Sequence, residues 1–433
     1  MRKEKVSIIS LGCPKNLVDS ERIAGKLLLS GYDFTYDPEE ADDIVINTCA
    51  FLASARSEAE EVINEFLEKK KNGLVKKLIV AGCYPSLYGE SMVNKFKGVS
   101  AVISTNNLND VVSALKLEKS FVSSIPVSET LPRLKFTLPH YEYLKIADGC
   151  NHSCAFCLIP RIKGRIHSFE KDFLFQESLF LAQNGVKELI IIAQDIAQYG
   201  IDLYGEPKLI ELLDSISKIP QIKWIRLMYA YPSTNVYKLL KYMESNPKIV
   251  PYIDMPIQHI SEKILKKMKR AASRKEIEET VSMIKEFGFA LRSSIIVGLP
   301  YEGEKEFEEL KDFLMKYQID HIGVFEYSNE EGTESFSFPQ VEAHIKERRL
   351  KEILKLKDSI ARLRAKRLIG RRIESIIDYY DSERKESIGR TVYDAPEVDD
   401  ILIVEGQLKP SEIYEVEIVK GDLYKLAGEV SSK

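Results

Sequence analysis

Cysteine is scarce in this sequence: six in 433 residues, too few to staple a chain of this size through disulfides. Long apolar runs are missing too, none nearing the roughly 18 consecutive residues that a membrane helix needs. No charge of one sign dominates. With 62 Lys and Arg against 66 Asp and Glu the net is −4, so nothing global marks a nucleic-acid binder. There is no internal repeat and no low-complexity tract, which argues against a solenoid or a disordered tail. No apolar leader block precedes the strand-like Val6-Ser7-Ile8-Ile9-Ser10, and a cytoplasmic protein is the expectation. What is present is 44% hydrophobic and 30% charged residues, a globular balance in a length that calls for two or three domains.

Hydrophobic patterning divides the chain into three. Over residues 1–125, Val6–Leu11, Asp43–Thr48 and Lys77–Ala81 read as buried parallel strands, with helix-spaced Ser20–Leu29 and Ala53–Lys70 between them. That is an open α/β domain. Residues 123–139 carry Pro126, Pro132 and Pro139 with little periodicity and read as a linker. A second alternation over 136–366 supplies strands at Tyr143–Ala147, Leu189–Ala193, Ile225–Ala230, Tyr252–Ile257, Leu291–Val297 and Ile322–Tyr327. Six such units predict an incomplete parallel β/α barrel whose active face lies at the strand C-termini. A charged helix near Val341–Leu368 follows. Residues 369–433 then switch to short β-type runs (Ile373–Ile377, Thr391–Tyr393, Ile401–Val404, Tyr414–Ile418) and predict a small all-β barrel. The fold class expected is therefore α/β, closed by an all-β domain.

The chemistry is in the cysteines. Cys150-Asn151-His152-Ser153-Cys154-Ala155-Phe156-Cys157 places three thiols on one loop after the first barrel strand. Three thiolates can hold three irons of a cubane and leave the fourth open, whereas electron-transfer ferredoxin sites supply four cysteines. Zinc is the rival reading, with His152 as its fourth ligand. Cys13, Cys49 and Cys83 each end a predicted strand in the first domain, where open α/β sheets place ligands. Small buried hydrophobes and convergent ligands are both open readings for them.

The cysteine triplet with Phe156 before its last member resembles the radical S-adenosylmethionine superfamily. Asp148-Gly149-Cys150-Asn151 and Ile159-Pro160-Arg161 narrow the resemblance to the methylthiotransferases. The opening motif Gly12-Cys13-Pro14-Lys15-Asn16-Leu17-Val18-Asp19-Ser20-Glu21 is similar to the branch that modifies an aspartate of small-subunit ribosomal protein twelve; the transfer-RNA branch usually carries Gln-Met-Asn after that cysteine. Ala193-Gln194-Asp195, Tyr252–His259 and Tyr327–Thr333 fit the same branch, and the resemblance covers essentially the whole chain, including a C-terminal TRAM domain.

The resemblance implies two [4Fe-4S] clusters, one on Cys150, Cys154 and Cys157 and an auxiliary one on Cys13, Cys49 and Cys83. It implies two equivalents of S-adenosyl-L-methionine per turnover and an electron donor of flavodoxin or ferredoxin type. One cofactor molecule donates a methyl to sulfur at the auxiliary cluster; the other yields the radical that takes hydrogen from the aspartate. It also places Phe156 near the adenine, Gln194 by the amino-acid moiety and Ser294, with Ser293, by the ribose. The family's Gly-Glu-Thr after Pro300 is replaced by Tyr301-Glu302-Gly303-Glu304, so neither Glu302 nor Glu304 is expected to be a ligand. Arg161, Lys163 and Arg165 read equally as anion-binding or solvated, and His259 as structural. Residues 370–433 carry 9 Lys and Arg against 15 Asp and Glu. That net of −6, concentrated in Asp394–Asp400, predicts an acidic face suited to a basic ribosomal protein rather than RNA. The alternatives are N6-isopentenyladenosine in transfer RNA as substrate and, from another class, a zinc-bearing RNA-binding module.

Overall fold

The computed structural model describes residues 3–123 and 133–430. The chain first builds a parallel sheet from β1 (Lys5–Ser10), β2 (Asp33–Phe34), β3 (Asp43–Thr48), β4 (Lys77–Gly82) and β5 (Ala101–Ser104), in spatial order β2-β1-β3-β4-β5. β3 is buried throughout, as befits a central strand covered on both faces. Cα register pairs Ser10 with Asn47 and Thr48 with Gly82, so β1, β3 and β4 finish level. From these ends run α1 (Pro14–Leu29), α2 (Ala53–Lys71) and α3 (Cys83–Tyr88). The two strands that periodicity does not announce, β2 and β5, are two and four residues long.

Six parallel strands follow: β6 (Tyr141–Lys145), β7 (Glu188–Ile192), β8 (Trp224–Leu227), β9 (Ile249–Asp254), β10 (Ala290–Val297) and β11 (His321–Glu326). Their spatial order, β11-β10-β9-β8-β7-β6, runs strictly with the sequence. This is the incomplete barrel the alternation predicts. Each strand starts earlier than its apolar run, and at two of these starts the first residue, Glu188 or His321, is a buried titratable side chain.

A closed barrel of β12 (Arg372–Asp381), β13 (Glu386–Thr391), β14 (Ile401–Glu405), β15 (Ile413–Asp422) and β16 (Lys425–Val430) completes the molecule. The expected strand at Thr391–Tyr393 is misplaced: the strand is Glu386–Thr391, and Val392–Asp394 leave it. α4 (Ala343–Leu368) joins the last two units, with Ile353 and Ile360 in the main core and Ala365 and Leu368 in the small barrel's core.

The expected acidic face on the small barrel does not hold for its most acidic segment. Asp394, Asp399 and Asp400 turn inward and plug the N-terminal end of the large barrel. Arg364 holds Asp394 at 2.8 Å and Asp400 at 2.5 Å, Arg292 holds Asp399 at 2.6 Å, and His321 stands 3.3 Å from Asp394 and Asp399. Beside them Glu188 is shared by Arg226 at 2.6 Å and Arg390 at 2.7 Å. The negative charge that stands out in the sequence is thus spent on docking, not on a partner.

Of the expected linker, residues 124–132, with Pro126 and Pro132, lie outside the described residues. Its remainder is no passive tether. Arg133 is buried among Glu21, Glu142 at 3.0 Å and Glu177 at 3.1 Å, tying α1 to the barrel. No helix of the described residues is long and apolar enough to cross a membrane.

Candidate functional site

Cys13, Cys49 and Cys83 sit at the level ends of the adjacent strands β1, β3 and β4, roughly 4.8 Å apart per strand. Two glycines make the approach possible. Gly12 has φ 99°, and a Cβ there would stand 2.8 Å from the Cys49 Cβ; Gly82 has φ 96°, and a Cβ would meet the Thr48 carbonyl at 2.7 Å and the Asn47 side chain closer still. Cys13 then caps α1, with Pro14 in the first turn, where its missing N–H costs nothing. Burial pushes the Cys83 thiol up to about 12; Lys163 opposes this, while Cys13 and Cys49 raise it further. Cys49 is raised too, by burial first and then by Cys13. The three thiols are therefore within electrostatic reach of one another.

Asn16 organises this triplet, and the sequence offers no signal for it beyond the motif it belongs to. Its side-chain amide donates to the carbonyls of Leu11 and Thr48, both at 3.0 Å, while its Oδ1 accepts from the Cys83 thiol at 3.6 Å. Asn47 completes the hub, donating to the Asn16 carbonyl at 2.8 Å and to Ser20 at 2.9 Å.

The second triplet follows β6. Gly149, with φ 73°, leaves no room for a Cβ against the Arg165 carbonyl. The loop's own amides face its sulfurs: His152 N–H donates to Cys150 Sγ and Ile159 N–H to Cys157 Sγ, both at 3.4 Å, and Arg270 reaches Cys154 Sγ at 3.7 Å. Burial pushes Cys150 up to about 11 and Cys157 up to about 12, the amides lowering and the sister thiols raising them. Such N–H···S contacts are among the groups that tune iron–sulfur sites.

The donor sets fit iron–sulfur cubanes better than zinc. A tetrahedral zinc holds its sulfurs about 3.8 Å apart, from Zn–S near 2.3 Å. Among the described residues the groups drawn within 4.8 Å of one another do not include either cysteine triplet. His152 is also committed elsewhere. Its ring stacks on Tyr231 with centroids 3.7 Å apart, and Nε2 contacts Asp195 at 2.8 Å and Gln198 at 2.6 Å.

A buried ion network links the segments that carry the two triplets. Lys145 is paired with Asp19 and with Asp148 at 2.7 Å; Lys163 meets Asp148 at 3.3 Å and Asp19 at 3.4 Å. Asp19 comes from α1 behind Cys13, and Asp148 stands two residues before Cys150. Lys163 is thus neither solvated nor free, unlike its exposed neighbours Arg161 and Arg165. Only burial and pairing in three dimensions separate these three cations.

Gln194, at the end of β7, donates to Asp148 at 3.2 Å and keeps a buried Oε1 without a partner. Phe156 packs against the cluster of Ile264, Met268, Leu299 and Tyr327, as does Ile296 near the end of β10. Ser294 lies on β10, its carbonyl accepting from Gln258 N–H at 2.8 Å. Ser293 is a clip instead, bonding Met255 O at 2.9 Å and Ile257 N at 3.1 Å. Glu302 closes its turn: it accepts from Gly298 N–H at 2.9 Å and pairs with Arg349 at 2.9 Å. Glu304 pairs with Arg348 at the surface. His259 Nδ1 accepts from Ser261 N–H at 3.0 Å, a structural bond.

Comparison with known proteins adds sequence-wide likeness. Residues 5–104 match an uncharacterized protein family, UPF0004, residues 144–314 the radical SAM superfamily, and residues 369–430 the TRAM domain. The chain is 40% identical, over 98% of its length and 99% of the relative's, to ribosomal protein uS12 methylthiotransferase RimO of Caldanaerobacter subterraneus subsp. tengcongensis. It is 38% identical to the protein of the same name from Aquifex aeolicus, covering 98% and 96%. Among solved structures, the radical S-adenosylmethionine methyltransferase TsrM from Kitasatospora setae aligns with TM-score 0.55 at 13% identity, over 74% of this chain and 73% of that one. That likeness speaks for the fold alone.

Proposed function

The chain belongs to the RimO family of ribosomal protein uS12 methylthiotransferases, and from that membership we propose how its residues divide the reaction. The enzyme adds a methylthio group to the β-carbon of an aspartate in protein uS12. Cys150, Cys154 and Cys157 hold the [4Fe-4S] cluster that meets S-adenosylmethionine, and Cys13, Cys49 and Cys83 hold a second one. The observation that supports the reading is the buried network of Asp19, Lys145, Asp148 and Lys163, which ties the helix that follows Cys13 to the segments on either side of the Cys150–Cys157 loop.

With its cofactors bound, the site at Cys150, Cys154 and Cys157 would supply a 5′-deoxyadenosyl radical, which suits a β-carbon hydrogen that no side-chain base removes at neutral pH. The chain's own part is to position. Gln194 Oε1, buried and unpartnered, suits the amino group of S-adenosylmethionine. Phe156 offers an apolar wall and Ser294 lies on the neighbouring strand. Two equivalents of S-adenosylmethionine per turnover, a flavodoxin- or ferredoxin-type donor and a cytoplasmic setting complete the reading.

Anaerobically reconstituted enzyme, given uS12 and transfer RNA in separate reactions, tests it. The expected result is the mass of one methylthio group replacing hydrogen, on the aspartate peptide alone. A gain found only on an RNA nucleoside overturns the assignment, and zinc without iron or sulfide overturns the chemistry.

A further inference from the structure

Lys15 is two residues past Cys13, yet its side chain crosses to the other domain. Its Nζ stands 3.5 Å over the Tyr229 ring and 3.5 Å from the Ala193 carbonyl. Those residues follow the C-terminal ends of β7 and β8, at the barrel mouth, and Ala193 precedes Gln194. Tyr229 holds φ 69°, a left-handed conformation uncommon for a bulky residue and retained where the surroundings impose it.

The neighbouring cations are committed. Lys145 and Lys163 are each shared by two aspartates, Arg292 belongs to Asp399, and Arg270 lies over Tyr231 with its other end on the Pro256 carbonyl. Among the described residues Lys15 has no carboxylate within 4.0 Å. Asp254, an acid that feels its charge, is buried with an unpartnered Oδ1. Burial pushes that carboxyl up to about 7, Arg292 and then Lys15 among the groups opposing the rise. Burial disfavours its ionised form, which makes it a weaker counter-charge for Lys15 than an ordinary carboxylate.

We propose that Lys15 takes the carboxylate of the substrate aspartate and holds it at the barrel mouth, next to the auxiliary triplet. This rests on the reading of an aspartate-bearing peptide as substrate. An ammonium on a half-buried aromatic face forms a charge-assisted bond to a carboxylate. A site built around that bond rejects the isosteric amide, which brings no charge to it. The reacting β-carbon is bonded to the carboxylate carbon, so fixing one positions the other.

The test is equilibrium binding of two fluorescent uS12-derived peptides, with Asp or Asn at the target position. The proteins are wild type, K15M and K15R, reconstituted and matched for iron content. The wild type is expected to bind the Asp peptide about 30-fold or more tightly than the Asn peptide. K15M should lose that preference while binding the Asn peptide as before, and K15R should keep most of it. K15M that retains the preference, or weakens both peptides alike as a mere domain brace would, overturns the proposal alone. A wild type that modifies transfer RNA and not the Asp peptide overturns the functional reading, and the proposal with it.

Discussion

Asn16 shows how much of a site can rest on one uncharged residue. Its amide donates to two carbonyls at strand ends, those of Leu11 and Thr48, and its side-chain oxygen faces the Cys83 thiol. Replacing it by Ala leaves the Leu11 and Thr48 carbonyls unpaired, at a cost of about 1–3 kcal/mol. The same change frees the loop that carries Cys13. Asn16→Ala is expected to lower the midpoint of chemical denaturation and to reduce bound iron towards that of a single-cluster protein. Deoxyadenosine formation, which depends on the other triplet, should survive. A variant that keeps full iron would remove Asn16 from the auxiliary site. The motif contains Asn16 in plain view, but its role depends on carbonyls from two other segments.

At the scale of elements, the recurring device is a strand, a glycine at positive φ and then a cysteine. Gly12, Gly82 and Gly149 each precede a thiol, and at each a Cβ would collide with a neighbour. Gly82→Ala would press on the Thr48 carbonyl and the Asn47 side chain in a backbone region that disfavours any Cβ. Gly149→Ala would do the same against Arg165. Each should cost about 1–3 kcal/mol, read as a lower thermal midpoint. Gly149→Ala should abolish deoxyadenosine formation, whereas Gly82→Ala should abolish only product formation. Equal loss of both activities in Gly82→Ala would mean that the two triplets are not separate devices. The strands themselves were readable because apolar runs of parallel strands need no partner to be recognised. β2 and β5 were not, being too short to show a period, and the charged strand starts were hidden because their burial depends on ions from elsewhere.

The whole molecule is held by buried ion pairs that span its three units. At the barrel floor, burial favours neutral His321, yet Asp399 and Asp394 outweigh it and raise its affinity for a proton above the ordinary 6.5. Burial likewise favours neutral Asp394, and Arg364 outweighs it to hold the carboxyl well below 3.8. The stabilising contribution of His321 is complete below 6.5 and is lost as pH rises through its higher folded value. That of Asp394 is present above 3.8 and fades as pH falls through its lower folded value. Thermal stability is thus expected to decline on the alkaline side of 6.5, and His321→Asn should flatten that decline. An unchanged slope in the variant would assign the decline to other groups.

Sequence by itself determined the order of elements, the barrel, the six cysteines and the family, because periodicity and close spacing are local properties that survive in one dimension. It did not determine which charges face water. Asp394, Asp399 and Asp400 read as a surface for a basic partner and proved to be the floor of the barrel. Lys163 read as solvated or substrate-facing and proved to be buried between Asp19 and Asp148. Lys15, a letter in a motif, proved to reach into the other domain. Each outcome depended on partners from distant parts of the chain: counter-charges for the three aspartates and Lys163, since a charge is buried where folding brings its counter-charge beside it, and an aromatic ring with a backbone carbonyl for Lys15.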